Sequence, residues 1–173
     1  AGEAKVIMSM AKTRQRRYRQ AKFDVSSAHQ RCKVREEDWA LQAFELDPGM
    51  TYLSKVGTFG IASASYFWAR LFGLVLRGAH YFLGHIDWFG LVYVDDLKVD
   101  MLEAGFWDAL AMLVAYFLAM GVPVSWRKFR VSGFGGGALL WIGYAMDYGA
   151  FTVGITEAHA LWCVHWIDDQ LKG

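Results

Sequence analysis

Apolar and polar positions along the chain change period repeatedly, and each change marks an element. Residues 88–93 and 97–101 are apolar or β-branched runs divided by Asp95-Asp96, which predicts two antiparallel strands joined at a tight turn with both carboxylates at its tip. Residues 21–25 predict a short strand that carries Asp24. Residues 39–44 and 50–56 flank Asp47-Pro48-Gly49 and predict a hairpin. Residues 63–83 run without proline, rich in Ala, Leu, Phe and Tyr, with Arg70 and Arg77 two turns apart; they predict a helix closed by Gly84. Further on, the pattern predicts a helix over 102–120, an extended piece at 128–131, strands near 139–144 and 151–153, and a last helix over 157–171. No internal repeat is present. Helices alternating with antiparallel strands give an α+β class, an antiparallel sheet with helices packed on one face.

The 173 residues are 55% hydrophobic, enough for one sizeable core and too apolar for a disordered tail. Eighteen Lys and Arg against seventeen Asp and Glu leave a net charge of +1, which by itself points to no polyanionic partner. The distribution is more informative, because ten of the basic residues fall in positions 1–37 beside four acids, so a basic front end precedes an acidic body. Within it Lys12, Arg14, Arg16, Arg17 and Arg19 form either a solvated helix face or a phosphate-contacting patch. Residues 109–126 carry no charge, but Gly121 and Pro123 interrupt the run, which predicts a buried helix and no membrane partner. Cys32 and Cys163 supply neither a zinc set nor a disulfide framework, so a reducing, intracellular setting in nucleus or cytoplasm is the default.

The candidate chemistry centres on Tyr93-Val94-Asp95-Asp96. Two adjacent carboxylates at a strand turn can hold divalent cations, and magnesium prefers hard oxygen ligands in the company of substrate phosphates. The bland reading is a solvated Asp-Asp turn. A third carboxylate on another strand of the same sheet favours the metal, and Asp24, within apolar surroundings, is the candidate; Asp87 and Asp100 read as helix-end and surface residues. His80, His85, His159 and His165 are too dispersed for a metal site. Cys163 reads as core, and Trp162 and Trp166, four apart, as one packing face. Residues 133–137 lack the ending of a phosphate-binding loop and read as a hairpin connection.

Three ordered stretches resemble the palm motifs of reverse transcriptases, particularly those of eukaryotic retroelements: Asp24-Val25-Ser26-Ser27-Ala28-His29, Gly57-Thr58-Phe59-Gly60-Ile61-Ala62-Ser63-Ala64, and Leu91-Val92-Tyr93-Val94-Asp95-Asp96-Leu97. Gly121 to Phe129 resembles the segment in which a palm helix ends before a lysine, and Trp141-Ile142-Gly143-Tyr144 with Asp147 resembles the primer-grip hairpin. The resemblance covers about residues 22–154.

That resemblance implies a retrotransposon RNA-directed DNA polymerase, in which a primer 3′ hydroxyl attacks the α-phosphate of a deoxynucleoside triphosphate. Asp24 and Asp95 would bind two Mg²⁺ ions, with Mn²⁺ as an alternative; Asp96 would assist, and the Val25 carbonyl would complete the coordination. Lys128 would stand near the pyrophosphate. His29, Phe59 and Gly60 would line the nucleotide site, while Tyr93, Trp141, Gly143 and Tyr144, with Arg16 and Arg17 from the basic segment, would touch an RNA or DNA template and its primer. His29 departs from the Tyr or Phe usual five residues beyond the first aspartate, which opens the selection against ribonucleotides. The implied organisation is a basic remnant of the fingers over 1–20, a palm with a partial fingers hairpin (39–56) over 21–154, and a helix starting the thumb or a connection over 155–173. So short a piece implies fingers and thumb supplied by a larger polyprotein. The alternatives are an inactive remnant that keeps the palm fold, a related palm-type RNA polymerase, and a small membrane or scaffolding protein.

Overall fold

A computed structural model describes residues 2–58, 62–133 and 137–172. Among these described residues, nine strands and four longer helices follow in the order α1 (Gly2–Thr13), β1 (Tyr18–Asp24), β2 (Ala43–Asp47), β3 (Met50–Leu53), α2 (Ala62–Phe82), β4 (Trp88–Tyr93), β5 (Asp96–Leu102), α3 (Phe106–Ala119), β6 (Arg130–Val131), β7 (Leu139–Trp141), β8 (Tyr144–Asp147), β9 (Thr152–Ile155) and α4 (Glu157–Lys172). The chain is α+β, and every strand pairing in its named sheets is antiparallel.

The main sheet has the order β4-β5-β1-β6. Because side chains alternate along a strand, Ala21 and Phe23 of β1 and Leu97, Val99 and Met101 of β5 all point to one face. There they meet the buried stripe of α2, formed by Trp68, Phe72, Val75 and Ala79, and that of α3, formed by Phe106, Ala109, Leu110, Leu113 and Phe117. The spacings of three and four residues put each stripe on a single helical face. Phe23 is the pivot of this layer, edge-on to Phe117 at 5.8 Å and stacked on Phe129 at 5.3 Å.

Helices are not confined to that face. The basic front end folds into α1, whose Ala4, Ile7, Met8 and Ala11 are buried against Tyr18, Trp141, Met146 and Tyr148, with Phe89, Leu91 and Leu102 of the main sheet packed alongside. The four apolar residues at helical spacing were the signal, overshadowed by the arginines that follow. A separate sheet, β7-β8-β9, completes this second layer.

Several boundaries move. β1 starts at Tyr18, three residues before the expected strand. The first hairpin starts at Ala43, because Glu36–Gln42 winds into a 3₁₀ turn that takes up Trp39. The expected strand over 139–144 folds back at Ile142-Gly143, where φ values of 43° and 83° make the two-residue turn and pair Trp141 with Tyr144. Four side chains change place altogether. Asp100 is wholly buried, since its face of β5 is covered by the second layer. Cys163, Trp162 and Trp166 are exposed, because no residue of α4 is buried. Among the described residues no helix is long and apolar enough to cross a membrane.

Candidate active site

The β1–β5 register sets Asp24 directly opposite Asp96, and the β4–β5 register sets Tyr93 opposite Asp96 from the other side. All three belong to the sheet face away from α2 and α3. Asp95 follows Val94 in the two-residue connection, and its carbonyl accepts from the Val25 N–H at 2.9 Å, so the hairpin tip is tied to the end of β1. Val94 sits at φ 58°, a region costly for a β-branched side chain. What holds it there is Trp68 of α2, whose indole N–H donates to the Val94 carbonyl at 2.8 Å. A core helix thereby positions the turn that carries the aspartates.

The segment after α3 supplies the fourth side. Ser125 N–H donates to the Asp24 carbonyl at 2.8 Å, Ser26 N–H to the Pro123 carbonyl at 2.9 Å, and Val25 bridges Val124. These bonds bring the short 3₁₀ turn Trp126–Lys128 over the carboxylates. Lys128 Nζ donates to Asp24 Oδ2 from a side chain that is 65% exposed. That hydrogen bond and the carboxylate's charge hold the Lys128 ammonium above the usual lysine range.

Asp96 is the strained member. Burial pushes its carboxyl up to about 6, the facing Asp24 carboxylate and Asp95 add to the push, and Lys22 and the Trp141 N–H oppose it. Its Oδ1 is buried, and neither it nor the buried Trp141 Nε1 closes a hydrogen bond. An anionic oxygen that faces a second carboxylate and closes no hydrogen bond is a place that a cation would satisfy. Among the described residues no three His, Cys, Asp or Glu side chains converge as a metal-binding group. A divalent ion held here would draw on one or two carboxylates and on oxygens from elsewhere, the usual manner of magnesium.

The other expected residues are distributed as follows. Trp141 is buried beside the carboxylates, Tyr144 is half-buried, and Gly143 closes the turn between them, where a side chain would also press on His159 of α4 at 3.2 Å. Tyr93 is 60% exposed and open to the site. His29 is buried, its Nε2 3.2 Å from Ser65 Oγ on α2. Gly57 makes that seat possible, because a Cβ there would stand 2.7 Å from the His29 carbonyl oxygen. Phe59 and Gly60 lie outside the described residues, as does the centre of the 133–137 stretch.

Arg16 and Arg17 are not brought to this site. They precede β1, roughly 20 Å along the strand from Asp24. There Arg16 pairs with Asp87 at 2.6 Å and Tyr18 donates to the same carboxylate oxygen at 2.8 Å, fastening the far end of β1 to the start of β4. His80 stacks on Trp88 with ring centroids 4.1 Å apart, a packing role.

Sequence reasoning missed the neighbouring polar layer. Lys98 and Asp100 are wholly buried and bonded at 2.5 and 2.6 Å, with the Tyr148 hydroxyl donating to Asp100 at 3.0 Å. Lys98 also lies over the Tyr148 ring, 5.1 Å from its centroid. The Gln20 amide satisfies both neighbours with its oxygen toward Lys98 (3.1 Å) and its nitrogen toward the Met146 carbonyl (2.9 Å). Burial pushes the Lys98 ammonium down and the Tyr148 hydroxyl up. The signal was Asp96, Lys98 and Asp100 at period two in an otherwise apolar strand.

No protein-family model and no curated protein matches the sequence. Solved structures do match. The foamy viral protease-reverse transcriptase in complex with double-stranded DNA aligns over 83% of this chain with a TM-score of 0.67 at 15% identity. The same viral protein with an RNA/DNA hybrid aligns over 81% with a TM-score of 0.61 at 16% identity. Telomerase from Candida albicans, in complex with a fragment of telomeric RNA, aligns over 90% with a TM-score of 0.70 at 13% identity. The chain spans 23%, 17% and 33% of those three chains. At such identities the likeness concerns the fold alone, and that fold is reverse-transcriptase-like, of the kind used by nucleic-acid polymerases.

Proposed function

We propose that this chain is the palm of a retroelement RNA-directed DNA polymerase, a nucleotidyltransferase core that extends a primer with deoxynucleotides on an RNA or DNA template. The single observation that carries the reading is the cross-strand pair Asp24–Asp96 with Asp95 at the adjoining turn, in a fold shared with reverse transcriptases. Of Asp24, Asp95 and Asp96, one or two carboxylates at a time, with the Val25 carbonyl, would hold Mg²⁺. Bound there, it would supply charge stabilisation for a primer hydroxyl attacking an α-phosphate.

The chain's own residues account for the rest. The opposed carboxylates keep a concentrated negative charge at the end of the sheet. Lys128, exposed and cationic, bonds Asp24 and would turn toward triphosphate oxygens as an acid or charge stabiliser. The β7–β8 turn and Tyr93 would position the primer terminus, and His29, anchored on Ser65, would bound the sugar side of the nucleotide site. The nucleic-acid complexes formed by the structural neighbours support such partners here. Fingers and thumb would come from the longer polyprotein that carries this segment.

Primer extension on RNA and DNA templates by that longer chain, in wild-type form and as Asp95→Asn, tests the reading. Mg²⁺-dependent extension abolished by the substitution is the expected result, and absence of extension by the wild type overturns it. The proportion of ribonucleotide incorporated, compared between wild type and His29→Phe, separates a DNA polymerase from a palm-type RNA polymerase.

A further inference from the structure

The β1–β5 register carries an electrostatic oddity. It sets Asp24 opposite Asp96 and also Lys22 opposite Lys98, two like-charged pairs in consecutive positions of one face. Like charges directly opposite each other destabilise a sheet. Sliding the β4–β5 hairpin two residues along β1 would keep every apolar residue on its present face, because the side-chain period is two. It would also set Asp24 opposite Lys98 and Lys22 opposite Asp100. Cross-strand charges alone therefore favour the slipped register, in which Lys98 neutralises Asp24 and the two carboxylates part.

We infer that the buried Lys98–Asp100 pair is the device that selects the native register and keeps the Asp24–Asp96 pair together. Lys98 is taken by a neighbour on its own strand, through two bonds to Asp100, and is withdrawn from Asp24. The pair is in turn fixed by groups outside β5: Gln20 on β1 bonds Lys98 and the Met146 carbonyl of β8, and Tyr148 bonds Asp100. A two-residue slide of the hairpin would carry Lys98 away from Gln20 and Asp100 away from Tyr148. Setting register is a role that buried polar groups are known to serve at a cost in stability. Lys98 and Asp100 are thus positioning residues. The register assignment stands on the pairing itself, whereas its value for catalysis rests on the proposed polymerase reading.

The test compares two variants by interstrand nuclear Overhauser contacts, which need no activity. In Asp100→Asn, Lys98 loses its anionic partner, and loss of the Asp24–Asp96 contacts with appearance of Asp24–Lys98 contacts is expected. In Lys98→Met/Asp100→Leu the slipped register no longer gains an ion pair at Asp24, and the native Asp24–Asp96 contacts are expected to persist. Native contacts in the single variant, or slipped contacts in the double, would overturn the assignment. If Asp100→Asn does not fold, Tyr148→Phe replaces it: exchange broadening confined to β1 and β5 supports the inference, and its absence sinks it. A chain that keeps its register as assigned and still fails to extend a primer would refute the polymerase reading alone.

Discussion

One face of β5 carries two charged clusters two to four residues apart, and they differ in every respect except residue type. At its start, Asp96 faces Asp24 with one oxygen unbonded and its carboxyl raised to about 6. Further along, Asp100 is wholly buried yet bonded to Lys98 and Tyr148. The first cluster leaves an Asp96 oxygen unbonded at the end of the sheet, with Asp24 bonded to the exposed Lys128, whereas the second satisfies its charges inside the protein. An aspartate in a strand acquires one character or the other from what covers it. Such a division suits a binding site resting on a rigid support, since repulsion at the site persists only if something nearby prevents relaxation.

The sharpest way to break the contrast is at the satisfied end. Asp100→Leu leaves a buried ammonium without its partner and should destabilise the native register by about 3–5 kcal/mol, while Lys98→Met/Asp100→Leu should be near neutral or stabilising. Urea unfolding followed by tryptophan fluorescence measures both. A single variant as stable as the double would mean that Lys98 finds solvent in spite of its burial. At the open end, Asp95→Asn should lower Mg²⁺-dependent primer extension by at least about a hundredfold while leaving the melting temperature close to wild type, because Asp95 occupies a turn held mainly by backbone bonds. A large fall in melting temperature would reassign Asp95 to structure.

Smaller effects sharpen the same contrast. The carboxyl of Asp96 is raised in the folded chain, so the folded state binds the extra proton and stability falls as pH rises from about 4 through about 6. Removing that charge with Asp96→Asn should stabilise the metal-free chain at pH 7 by on the order of 1–2 kcal/mol after allowance for solvent screening, with the gain vanishing near pH 4. Thermal melts in chelator at both pH values decide it; equal gains would assign the effect to something other than ionisation. Tyr148→Phe should cost about 1.5 kcal/mol, the low end for a hydrogen bond to a charged acceptor, because Asp100 keeps its other partner. No change in the unfolding midpoint would count against Tyr148 as a support for Asp100.

Much of this was legible beforehand where local signals agree. The runs on either side of Asp95-Asp96 could only be a hairpin, and β4 and β5 lie within a residue of the expected limits. Helix α2 likewise lies within a residue of the expected limits, with Gly84 shortly after it. The partnership of Asp24 with the hairpin carboxylates was expected from their occurrence on strands of one sheet. What escaped were features fixed by remote packing. The role of α1 depends on a surface made by β7–β9, more than 120 residues later, and Asp100 reads as a surface acid until Tyr148 and Lys98 enclose it. Trp162, Cys163 and Trp166 form an apolar pattern on α4 that meets no buried surface. Arg16 and Arg17, read as template contacts, lie at the opposite end of β1 from Asp24, where Arg16 pairs with Asp87.

The sequence by itself determined the alternation that sends Asp24, Asp96, Lys98 and Asp100 to a single face, because a period of two is local and the apolar residues between them had to be buried together. It also determined a tight turn between β4 and β5 and the helical stripes that cover the other face, although the turn falls at Val94-Asp95, and Asp96, expected at the tip, is the first residue of β5. Only the tertiary structure decided which of those charges face each other. The local pattern is indifferent to a two-residue slide, and the choice falls to Gln20 and Tyr148, which bond Lys98 and Asp100 in the native register.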